Sequence, residues 1–175
     1  MQYRIIRSVV TVALLLAFFV VMLGAYTRLT DAGLGCPDWP GCYGKMVLPS
    51  AEASLQQAQT SYPSHPIETK KAWTEMAHRY AAGTLGLLIF YIALSVLYQR
   101  YRGKIVPWHL PAVLFMLLIF QAVLGMWTVT LKLLPVVVMG HLLGGMLIVA
   151  CLSRFRMQIS NLLGDELPQW RPWFR

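Results

Sequence analysis

The sequence predicts an all-α integral membrane protein: a bundle of four transmembrane helices built from two repeated hairpins. Three observations carry this. Of its 175 residues, 57% are hydrophobic and only 13% charged, a balance foreign to a soluble globule. Four stretches, Ser8 to Thr27, Tyr80 to Gln99, Ile105 to Leu131 and Leu133 to Ser153, lack Asp, Glu, Lys and Arg. Each meets the length of roughly 20 residues that a helix needs to cross the hydrocarbon core. Finally, Leu23-Gly-Ala-Tyr-Thr27 resembles Leu124-Gly-Met-Trp-Thr128, and Met76-Ala-His78 resembles Met139-Gly-His141, which reads as a duplicated hairpin.

The charge pattern orients the bundle. A formal charge of +8 could suggest a nucleic-acid partner, but the basic residues have a simpler explanation. Arg4, Arg7, Arg100, Arg102, Lys104, Arg154, Arg156, Arg171 and Arg175 fall on one side of a four-span arrangement. That side is the cytoplasm of an inner membrane, and the partner is the lipid bilayer, not nucleic acid. Asp31, Asp38, Glu52 and Glu68 collect on the other, periplasmic side.

The spans follow in order, at about 8–27, 74–98, 108–130 and 135–153, with an outer loop over 28–72 and a cytoplasmic tail over 154–175. The first carries lipid-facing Leu14, Leu15, Leu16, Phe18 and Phe19. A cleavable signal peptide is the competing reading. The apolar stretch outruns the usual length, however, and Gly24 to Arg28 reads as a helix end entering a structured loop. Arg28 there can pair with a carboxylate or lie among headgroups.

Asp31 to Gly44 is dense in glycine and proline, hence a shaped turn. Within it, Cys36 and Cys42 lie on the side where disulfides persist, so they form either a structural staple or a redox-active pair. Zinc is disfavoured, because two thiolates and the distant His65 fall short of four ligands. Cys151 reads as a small buried hydrophobe. The rest of the loop is polar, with a candidate short helix over Ser54 to Gln59. The second span runs inward, Gln99 to Pro107 is a basic turn, and His109 stands beside it. Pro135 suits the first turn of the fourth span.

Ionisable groups inside such spans are expensive and mark functional sites. Glu75 and His78 are three residues apart and share a helix face. His141 lies six residues past Pro135, about 9 Å along the axis, and His78 six past Ala72, on a helix running the same way. The two imidazoles therefore arrive at one level, and two facing imidazoles suggest a six-coordinate haem iron. Ala81, Ala82, Gly144 and Gly145, one turn beyond the histidines, offer clearance for a macrocycle; close helix packing explains the same small residues. Glu75 reads as a proton carrier, a stabiliser of a cationic intermediate, or a transient ligand. A salt bridge to Arg79 is the alternative. Arg79 and Arg28 are also candidates for holding haem propionates.

Gly24 to Cys42, Glu75-Met-Ala-His-Arg79 and the Gly140-His141 region resemble the amino-terminal half of the haem A synthase (Cox15/CtaA) family. The resemblance covers essentially the whole chain. It implies an oxidoreductase that converts the C8 methyl of haem O to a formyl group for cytochrome c oxidase. It also implies that Glu75 is catalytic, that His78 and His141 are haem ligands, and that Cys36 and Cys42 take part in electron or haem transfer. Implied cofactors are haem O as substrate or haem B; implied partners are haem O synthase and an electron donor. Family members have eight spans in two similar halves, so a second four-helix half or a homodimer is a further expected partner. Gln169 to Arg175 reads as a connector towards a fifth span. The competing function is a bis-histidine b-type cytochrome or a haem-binding assembly factor.

Overall fold

The computed structural model describes residues 2–48 and 52–164. Five helices form: α1 (Gln2–Leu29), α2 (Glu52–Ser61), α3 (Thr69–Tyr101), α4 (His109–Thr130) and α5 (Pro135–Leu162). All but α2 are long and apolar enough to cross a membrane, and no strand forms among the described residues. At 1.5 Å per residue the 33 residues of α3 span about 50 Å, well beyond the roughly 30 Å hydrocarbon core.

Helix α1 packs against α3 and α5, and α4 against the same two. The bundle is thus a ring of four in which α3 and α5 are diagonal partners, as are α1 and α4. Side chains from α3 and α5 consequently meet across the bundle interior. The end where α1 finishes and α3 begins carries the long loop; at the opposite end α3 and α4 are joined by the short turn around Gly103, whose positive φ of 72° suits a residue without a Cβ.

The principal core fills the end away from the long loop. Val10, Ala13, Ile89, Ile92, Leu114 and Leu152 belong to one buried cluster that reaches Phe155 and Ile159. That cluster explains why α5 runs to Leu162, past the boundary expected at Ser153. Helical hydrogen bonding needs no apolar residues, and α5 keeps one face on the bundle while its neighbours turn outward. Arg156, expected in a tail, instead donates to the Thr11 hydroxyl of α1 at 2.9 Å. The remainder of that tail, including the expected connector Gln169 to Arg175, lies outside the described residues.

The loop forms a cap with a small core of its own. Cys36, Cys42, Tyr43, Leu48 and Ala58 pack on Ala72 and Met76 of α3, with Tyr62 and Ile67 at the margin. The approach to α3 is close. A Cβ at Gly35 would stand 2.6 Å from the Lys71 carbonyl carbon, so only glycine lets the two backbones touch. Inside the cap, the Asp38 carboxylate accepts from the Tyr43 and Gly44 amides at 2.7 and 2.8 Å and holds the turn closed. Tyr43 donates to the Pro66 carbonyl at 3.4 Å, and its pKa is raised by burial, with Glu68, Asp38 and Glu75 adding negative charge nearby. The short helix expected over Ser54 to Gln59 runs as α2, and Ala58 ties it to this core.

Candidate functional site

Beneath the cap the bundle is not filled. Two cavities, of about 380 and 570 Å³, share Val20, Val21, Arg79, Gly125 and Gly145 as common walls. The smaller lies between α1, α5 and the outer end of α4 and includes Glu75, His78 and His141 in its lining. The larger opens between α3 and α4, below Trp39, Pro40 and Met46. Their walls are mostly apolar, and the polar groups between them are few enough to name.

His78 on α3 and His141 on α5 face each other, with ring centres 6.5 Å apart and planes at 83°. A shared metal ion would sit about 3.2 Å from each centre. That is the reach of an imidazole nitrogen, about 1.1 Å from its ring centre, plus a metal–nitrogen bond of about 2.0–2.1 Å. Two neutral imidazoles so placed fit a haem iron, and the adjoining apolar cavities suit a macrocycle. Each ring lies against a glycine of a neighbouring helix. A Cβ at Gly24 of α1 would come within 2.9 Å of His78 Cε1, and one at Gly125 of α4 within 3.4 Å of His141 Cε1.

The rings differ in their hydrogen bonding. His78 Nδ1 is buried with no partner, while the ring's other nitrogen hydrogen-bonds the Val20 backbone. His141 Nδ1 lies against the side-chain amide of Gln121 on α4. The amide satisfies every neighbour in one orientation: its nitrogen donates to His141 Nδ1 at 2.8 Å and to the His141 carbonyl at 3.1 Å, and its oxygen accepts from the Gly145 amide at 3.2 Å. Gly144, which the sequence offered as clearance for a macrocycle, has another reason to be small. A Cβ there would fall 1.7 Å from the end of the Gln121 amide, so the space is already taken. Gly145 does border both cavities, and Ala82 the larger one.

Glu75 is 4% exposed and fully partnered. One carboxylate oxygen accepts from the Cys36 amide at 2.9 Å; the other forms a salt bridge with Arg79. The Arg79 guanidinium also donates to the carbonyls of Asp38 at 2.9 Å, Pro40 at 3.3 Å and Gly41. All three belong to the ring closed by the Cys36–Cys42 disulfide. The cysteine loop is therefore seated on the Glu75–Arg79 pair, and both cysteines are committed to each other rather than to a metal. Arg79 borders both cavities, so its remaining reach is towards the site.

Arg28 stands apart. Its side chain is 57% exposed and pairs with Asp31 at 3.5 Å on the rim of the smaller cavity. His65 is exposed in the cap, and His109 is exposed at the opposite end, stacked on Trp108 with ring centres 4.0 Å apart. Neither approaches the histidine pair. Gln121 escaped the sequence reading because a search for charged residues in apolar runs passes over an amide. A lone glutamine within α4 was the available signal.

This arrangement can be set beside known proteins. The model of the COX15-CtaA family, described as a cytochrome oxidase assembly protein, matches residues 7–174. The chain belongs to the COX15-CtaA family. Among curated COX15-CtaA relatives, the heme A synthase of Shewanella oneidensis is 50% identical over 141 residues, covering 81% of this chain and 42% of the relative. That of Lysinibacillus sphaericus is 32% identical over 71% of the chain and 35% of its own length. That of Sinorhizobium fredii is 29% identical over 85% and 44%. The chain thus spans less than half the length of the curated relatives it matches. No solved structure matches it closely enough for comparison. Membership in this family and four membrane-length helices make it a multi-pass membrane protein.

Proposed function

We propose that this chain is the substrate-binding half of a haem A synthase-like membrane oxidoreductase, oxidising the C8 methyl of haem O to a formyl group. The observation that carries the reading is the pair of facing imidazoles at ligating separation, with a buried carboxylate held one helical turn above one of them. His78 and His141 would hold the iron. The tetrapyrrole, when bound, would supply the redox chemistry, and the chain supplies binding, orientation and proton handling.

Glu75 is the group suited to move a proton at the site edge. Its two oxygens are oriented by the Cys36 amide and the Arg79 guanidinium, so the carboxylate does not wander. The cap, seated on that pair, covers the polar end of the site while the apolar walls exclude water. Arg28, exposed on the rim, and Arg79, at the shared wall, are placed to meet propionates. Electrons come from an external donor, and a second four-helix half or a second copy completes the assembly. In the membrane, both termini face the cytoplasm and the Cys36–Cys42 loop faces the periplasm.

The test is co-expression with a haem O source, followed by pigment extraction and mass identification. Recovery of haem O or haem B with the chain, and of the formyl product when the complementary half is present, is the expected result. A colourless chain sinks the reading. A pigment that never changes mass in the presence of the other half favours a b-type cytochrome. Membrane-impermeant thiol labelling after reduction checks the orientation: Cys36 labelled only in inverted vesicles reverses it.

A further inference from the structure

The two imidazoles have different hydrogen-bond partners, the Val20 backbone for His78 and the Gln121 amide for His141. Gln121 is 8% exposed within an apolar helix, where an unpaired amide is costly, and its three hydrogen bonds all go to α5. Two of its partners, the His141 carbonyl and the Gly145 amide, are spaced i to i+4 on that helix. Together with the missing side chain at Gly144, they form a slot that accepts the amide in one orientation. In that orientation a donor faces His141 Nδ1. The ring nitrogen must then accept, and the hydrogen of the neutral imidazole sits on Nε2. A histidine that ligates through Nε2 needs the opposite arrangement, with Nδ1–H donating to a carbonyl or carboxylate that fixes the tautomer and raises ligand basicity.

We propose that Gln121 is a positioning residue that holds His141 in its non-ligating tautomer, so that the amide must turn before His141 can bind iron through Nε2. This rests on the two histidines being haem ligands. For His141 to ligate through Nε2, the Gln121 amide turns its oxygen towards Nδ1–H and gives up its bonds to the His141 carbonyl and the Gly145 amide.

The experiment has two arms. Nitrogen-15 NMR of histidine in the detergent-solubilised chain, without haem, reads the tautomer of each ring. The wild type shows His141 as the Nε2–H form. Gln121→Glu, which places an acceptor in the slot, moves the proton to Nδ1, and Gln121→Met, an unbranched side chain with neither group, removes the bias. His78 signals stay in place. The second arm titrates ferric haem B into the same proteins. Gln121→Glu binds about tenfold more tightly than wild type, with a lower midpoint potential and a more fully low-spin spectrum. An unchanged His141 tautomer in both variants overturns the inference whatever haem does. A tautomer that switches without any change in haem affinity, spin state or potential overturns the link between the tautomer and haem binding. Failure of all three proteins to bind haem removes the proposed site, a result the first arm cannot produce.

Discussion

The two ends of this bundle are built on opposite principles. At the end away from the cap, Val10, Ile89, Ile92, Leu152 and Phe155 interlock in a continuous apolar core. At the capped end the same four helices enclose two cavities, two imidazoles, a carboxylate and a buried amide. Neither cavity is lined by α1 before Ala17 or by α5 beyond Ile148. The difference teaches where a membrane bundle can tolerate a site. Helices already locked together at one end by van der Waals packing can stand apart at the other and leave room for a ligand.

The sharpest way to break this comparison is to remove a ligand from the open end. His78→Ala and His141→Ala each abolish the low-spin haem spectrum, whereas His65→Ala and His109→Ala leave it intact; absorption spectra of the purified variants decide this. Should all four behave alike, the open end is not a haem site. Next comes Glu75→Ala, which keeps the pigment but stops product formation in the assembled enzyme, because the carboxylate handles protons rather than iron. Product assay and haem content, measured on one preparation, separate the two effects. Loss of pigment together with activity would make Glu75 a binding group instead.

A smaller effect is expected from the closed end. Ile92→Ala should cost roughly 2 kcal/mol in detergent unfolding while leaving the haem spectrum unchanged. Only the cavity part of the usual large-to-small cost applies, since lipid or detergent already solvates the side chain when the bundle opens. A spectrum that shifts with Ile92→Ala would show that the two ends are coupled.

The smallest effect belongs to the cap. Tyr43 has its pKa raised above 10.0 by burial, so the folded cap keeps its phenolic proton after the unfolded loop has lost it. Cap stability is therefore complete below about pH 10 and declines as pH rises towards the folded value. Proteolysis of the loop across that range should show the decline, and Tyr43→Phe should flatten it.

The histidine pair and Glu75 were legible because ionisable groups in apolar runs are rare and conspicuous, and helix periodicity fixed their relative depth. The Cys36–Cys42 pair and the short helix of the cap were legible too, but its seating on α3 was not. Arg79 reaches carbonyls of Asp38, Pro40 and Gly41, and a carbonyl acceptor leaves no trace in residue identity. Gly144 was offered as clearance for a ligand or as a close-packing residue, and it is clearance for Gln121 of the neighbouring helix. The ambiguity has a physical origin: a small residue says that something approaches, without saying what.

From the sequence alone came the membrane class, the number of spans, their alternating direction and the level at which two imidazoles meet. All of these follow from local quantities, namely apolar run length, helical rise and charge at the ends of the spans. Only the tertiary structure decided that α3 and α5 are diagonal, that the cysteine ring sits on Glu75 and Arg79, and that Gln121 lies against His141. Those are contacts between distant parts of the chain. They depend on which helix faces which, and several backbone arrangements can satisfy the same apolar pattern.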